Sequence, residues 1–66
     1  MNLVKIGRYI AEKRKSLGLT QRQLAEKLGK SDKSVSKWER GVCLPDVSVY
    51  KELCSILGIS LNEFLA

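Results

Sequence analysis

Along the 66 residues the apolar side chains recur at spacings of three and four, and no β-branched run interrupts them. The pattern therefore predicts helices throughout and needs no strand. A first helix is expected from about Leu3 to Leu17, with Leu3, Ile6, Ile10 and Leu17 on one stripe and Gly18 as the left-handed residue past its end. Arg14, four residues after Ile10, falls on the same inward stripe. A guanidinium in that position demands a carboxylate partner, because an unpaired buried charge is costly.

The second helix is announced by "LTQRQL", in which Thr20 is the N-cap, Gln23 completes a capping box, and Leu19 with Leu24 forms a hydrophobic staple. Leu24, Ala25 and Leu28 make its inner face, and Gly29 ends it. A third helix follows within a few residues, capped by Ser31, with Asp32 suited to the positive end of the helix dipole and Gly41 closing it. Its segment "KSDKSVSKWERG", Lys30 to Gly41, holds only two apolar side chains, Val35 and Trp38, three apart and on one face. Asp32, Lys33, Ser36, Lys37 and Arg40 fall mainly on the other. The staple is broken here, since Lys30 stands where an apolar partner for Val35 would be expected.

Pro45 and Asp46 open a fourth predicted helix with Val47, Tyr50, Leu53, Cys54 and Leu57 as its inner stripe and Gly58 as its stop. A fifth is predicted from the capping box of Ser60 and Glu63 and the staple of Ile59 with Phe64. The chain ends on "EFLA", still apolar, as either a dimerising tail or the edge of a piece of a longer protein. The expected architecture is all-α, one five-helix domain over residues 1–66.

The charge is unevenly placed. The net charge is +5, and it comes from Lys5, Arg8, Lys13, Arg14 and Lys15 in the first helix and Arg22, Lys27, Lys30, Lys33, Lys37 and Arg40 in the next two. The last third carries Lys51 against Asp46, Glu52 and Glu63. A basic half of this kind is the footprint of a polyanion binder, or else a merely solvated surface. Cys43 and Cys54 have no further cysteine and no histidine beside them, so neither a zinc site nor a disulfide framework is implied. Reduced thiols and the absence of a long apolar block point to a cytoplasmic chain outside the membrane. With no histidine and no clustered carboxylates, an enzyme is not expected, and neither is a cofactor, a metal or a small-molecule pocket.

Two short helices joined by a tight glycine-containing turn make a helix-turn-helix unit, whose second helix is of a size to enter the DNA major groove, about 12 Å wide. "GLTQRQLAEKLGKSDKSVSKWERG", followed by "LPD" and "LGISLNEFL", resembles the lambda-repressor-like, or Xre-type, helix-turn-helix family over Ile6 to Leu65. The resemblance implies a repressor-type, sequence-specific DNA-binding transcriptional regulator with its recognition helix at about residues 32–40, acting on double-stranded DNA as a homodimer. Matched position by position, it implies base contacts from Asp32, Lys33, Ser36 and Lys37. It also implies phosphate contacts from Gln21, Arg22, Ser31 and Arg40, and a structural ion pair between Arg14 and Glu39.

Other roles stay open for some of these residues. Asp32 either accepts from cytosine N4 or favours the helix dipole, and Lys33 and Lys37 reach either guanine or a phosphate. Gln23 reads as a capping residue and Trp38 as core. Lys30 departs from the family pattern, which places an apolar residue there; its stem covers the core while its ammonium reaches solvent. The rival reading is a protein-interaction module, antitoxin-like or bridging, on the same fold.

Overall fold

Each helix starts where a short polar side chain substitutes for the missing backbone acceptors of the first turn. The computed structural model describes residues 2–59, which form α1 (Leu3–Ser16), α2 (Gln21–Leu28), α3 (Asp32–Glu39) and α4 (Val47–Leu57). Asn2 caps α1 by accepting from the Lys5 N–H at 3.1 Å, a start signal not read from the sequence. At α2 the capping box is complete: Thr20 Oγ1 accepts from Gln23 N at 3.0 Å and Gln23 Oε1 accepts from Thr20 N at 2.8 Å. Ser31 caps α3 through Ser34 N at 3.2 Å, and Asp46 caps α4 through Val49 N at 3.0 Å.

Removal of one half of the α2 box has a defined consequence. Thr20→Ala leaves the Gln23 N–H without its acceptor and is expected to cost about 1 kcal/mol. For a domain of this size that lowers the melting temperature by roughly 4–8 °C. A chemical denaturation midpoint indistinguishable from the parent would count against the box as a contributor to stability.

The turn between α2 and α3 is held by backbone bonds as well. Gly29 adopts φ +67°, a conformation that side chains with a Cβ resist, and this lets Lys30 N donate back to Ala25 O at 2.9 Å. Only Gly29, Lys30 and Ser31 separate the two helices.

One core joins all four helices: Ile6 and Ile10 from α1, Leu24, Ala25 and Leu28 from α2, Val35 and Trp38 from α3, and Val49, Tyr50, Leu53, Cys54 and Leu57 from α4. Three apolar residues assigned to the inner faces lie outside it, and Leu3 among them is half-buried. Leu17 is 52% exposed, because α1 stops at Ser16 and the chain turns away through Gly18. Val47 is 73% exposed and Val49 is buried in its place. A helical wheel puts Val47 nearer the stripe, but as the first residue of α4 it sits at the helix end, beyond the layer it would pack on. Among the described residues there are four helices and no strand; the predicted fifth helix, with Ser60, Glu63 and Phe64, lies outside them.

Candidate nucleic-acid interface

The outward surface of α3 follows from how little of it is needed for packing. Val35 and Trp38 are buried, whereas Ser31, Asp32, Lys33, Lys37 and Arg40 are exposed and Ser34 and Ser36 are half-buried at the flanks. Lys33 and Lys37, one turn apart, share a ridge that faces solvent. Arg40, just past the helix, donates from Nε to Ser36 Oγ at 3.2 Å, which draws its guanidinium along the same side of α3. The Ser31 hydroxyl is engaged with Ser34, both through the backbone cap and side chain to side chain at 3.1 Å.

Beneath this ridge, α3 is clamped to the rest of the fold by a polar cluster. Arg14, 8% exposed, donates from Nε to Glu39 Oε2 at 2.6 Å and from Nη2 to Glu39 Oε1 at 3.1 Å, a forked contact across 25 residues. Its Nη1 donates to the Leu19 carbonyl at 2.7 Å. Gln21 Nε2, at the first position of α2, adds a bond to Glu39 Oε1 at 3.0 Å. One carboxylate from the end of α3 therefore ties α1 and the start of α2, while the same guanidinium holds the loop after α1. A fork of this geometry is the stronger, directional kind of charged hydrogen bond.

The candidate phosphate-contact residues are not all on one element. Gln21 and Arg22 open α2, where unpaired amides favour anions, and Ser31 and Arg40 bracket α3. Gln21 has one amide hydrogen committed to Glu39 and a second left for another acceptor. Arg22 pairs with Glu26 at 3.5 Å, but both side chains are largely exposed, so the pair yields readily to a stronger anion. Arg22, Glu26, Lys30, Ser31 and Asp32 line an open cleft at the α2–α3 turn.

The Asp46 carboxyl is held below the usual carboxylate range, first by the Val49 N–H and then by the Ser48 hydroxyl, and the Lys30 charge acts in the same direction. Neither the Gln21 bond to Glu39 nor that of Arg40 to Ser36 was anticipated. The latter has a sequence signal in its i, i+4 spacing, while the former joins positions 18 residues apart and has none.

Among the described residues no cluster of histidine, cysteine or carboxylate side chains suits a metal ion. No helix among them is long and apolar enough to cross a membrane. Cys43 is exposed and Cys54 buried.

Known proteins share this arrangement. The helix-turn-helix family pattern matches residues 10–64. The HTH-type transcriptional regulator PuuR of Escherichia coli K12 is 33% identical over 60 residues, 91% of this chain and 32% of its own length. The cryptic phage CTXphi transcriptional repressor RstR of Vibrio cholerae is 35% identical over 60 residues, covering 91% of this chain and 54% of that protein. The chain thus spans about a third of the length of PuuR and about half that of RstR. Among solved structures, the restriction-modification controller protein C.AhdI of Aeromonas hydrophila superposes with a TM-score of 0.82 at 32% identity, over 94% of this chain and 90% of its own. Sequence pattern, the helical architecture of the described residues and the superposition agree, and the chain belongs to the lambda-repressor-like, Xre-type helix-turn-helix family.

Proposed function

We propose that this domain is a sequence-specific DNA-binding transcriptional regulator that acts by occupying an operator, with α3 in the major groove. The observation that carries the reading is the division of α3 itself. Two residues hold it to the core, and Asp32, Lys33, Lys37 and Arg40 stand exposed along the rest. A helix presented in this way, as the second of a helix-turn-helix, matches the geometry by which such units read base edges. PuuR and RstR, named as a transcriptional regulator and a repressor, support the same reading.

In this scheme Lys33 and Lys37 donate to guanine O6 and N7, Ser36 lies beside them, and Asp32 accepts from cytosine N4. Gln21, Arg22, Ser31 and Arg40 hold phosphates on either side of the groove and set the register of the helix without reading sequence. One domain offers a small interface, so the protein works as a homodimer on half-sites about 34 Å apart, or a multiple of that distance.

Selection from a random duplex library, followed by titration of the best site at several salt concentrations, tests this reading. A two-fold symmetric motif is expected. Arg22 and Arg40 of two protomers neutralise four phosphates and contribute about −3.6 to the slope of log K against log salt. A steep slope without an enriched motif would leave a non-specific DNA binder. The absence of any DNA binding would favour the protein-interaction module instead.

A further inference from the structure

Gly7 lies in the middle of α1, where a glycine weakens a helix and where no turn or positive φ calls for one. Its surroundings supply the reason. A Cβ on Gly7 would overlap the Trp38 carbonyl oxygen and lie 2.6 Å from that of Glu39. These are backbone atoms in the last turn of α3 and cannot swing aside as a side chain would. A second glycine completes the contact from the other side. Gly41, just past α3, has its open face against the Val4 backbone, so that a Cβ there would sit 3.0 Å from both the Val4 N and Cα. The first turns of α1 and the last turn of α3 thus meet backbone to backbone, with a glycine from each chain segment at the point of approach.

We propose that Gly7 is a positioning residue for DNA recognition: the closeness of α1 to α3 that it permits sets how far the Lys33 and Lys37 ridge projects from the body of the domain. This rests on the reading of α3 as the recognition helix. The Arg14 and Gln21 bonds to the Glu39 side chain hold α3 against rotation and outward drift. They do not determine how near its backbone comes to α1, because side chains of that length adjust. The backbone contact at Gly7 has no such slack. A methyl group at that point drives the C-terminal half of α3 outward relative to the phosphate-contacting start of α2. The protein then can satisfy its phosphate contacts or its base contacts, but not both at once.

The experiment compares the unaltered chain with Gly7→Ala on two duplexes of equal length, the site selected by the unaltered protein and a scrambled version of it. Binding is measured at a temperature where circular dichroism shows both proteins folded. The ratio of selected to scrambled affinity is expected to fall at least tenfold. Affinity for the scrambled duplex, which rests on charge, should change less than threefold. A folded Gly7→Ala protein with an unchanged ratio overturns the proposal, since a purely structural glycine would alter only the melting temperature. If Gly7→Ala is unfolded in buffer, the ratio is read in trimethylamine N-oxide, which favours the compact state by exclusion from the protein surface. Gly41→Asn provides the second variant, because asparagine tolerates the positive φ while placing a Cβ on the Val4 backbone. It too must lower the ratio, and a folded Gly41→Asn protein with full selectivity refutes the positioning role. If the unaltered protein selects no motif, the DNA reading fails and this proposal falls with it. A motif kept intact by Gly7→Ala removes this proposal alone.

Discussion

Glu39→Ala is expected to remove the larger part of the protein's stability and to move its urea midpoint steeply downward. The substitution leaves the Arg14 guanidinium, 8% exposed, with no carboxylate and removes the acceptor of Gln21 as well. Breaking a buried pair by removing one partner costs about 3–5 kcal/mol. A domain of this length has only about 3–10 kcal/mol in total. The instructive comparison is with a double replacement, Arg14→Met with Glu39→Leu, in which no charge is stranded. Exchange of a whole buried pair for apolar side chains of similar volume is often neutral. The double variant should therefore recover most of the loss, although the Leu19 carbonyl and the Gln21 amide each lose a partner. Urea denaturation of the parent, the single and the double variants decides it. A Glu39→Ala midpoint close to that of the parent would mean that the clamp contributes little and that α3 is held by Val35 and Trp38 alone.

The second large effect is on binding. Lys33→Ala combined with Lys37→Ala should abolish discrimination between operator and random duplex while leaving the fold intact. Each well-placed base contact is worth about 1–3 kcal/mol of discrimination, so the pair accounts for about 2–6 kcal/mol per half-site. Both side chains are exposed and make no contact with the core, and surface changes of this type shift stability by about 0.5 kcal/mol or less. The single variants refine the assignment. A lysine that reads a base relaxes preference at one position of the site, whereas a lysine on a phosphate weakens every sequence alike and flattens the salt dependence. Full selectivity in the double variant would remove α3 as the reading element and favour a protein partner for this surface.

Much of the helical framework was legible from residues within one turn of each other. Thr20 with Gln23, Ser31, Asp46, Gly29 and Gly58 mark helix ends through bonds spanning two to five positions, and such bonds form whatever the rest of the chain does. The division of α3 into a narrow apolar face and a polar remainder was legible for the same reason, since the helical period alone decides which side chains share a side. Arg14 was readable one step further. Its place on an apolar stripe demanded a carboxylate, and the structure sets Glu39 there at 2.6 Å.

Periodicity failed at the helix ends. Leu17 and Val47 have the right phase for the core and are nevertheless exposed, because phase says which side a residue faces and nothing about whether a neighbouring helix extends that far. Val49 is buried on a poorer phase, two residues further into α4. The exposure of Lys30 follows from its polar character and is found in the structure.

The sequence by itself determined that the chain is helical, where its helices begin and stop, that its first two-thirds are basic, and that one short helix keeps most of its surface free. Those properties follow from local hydrogen bonds, from the helical period and from charges counted along the chain. The tertiary structure alone decided that Gln21 joins the Arg14 and Glu39 pair and that Gly7 meets the carbonyls of Trp38 and Glu39. These are contacts between residues 18 to 32 positions apart, and their geometry depends on how closely two helices approach, a distance that the packing of the described helices sets together.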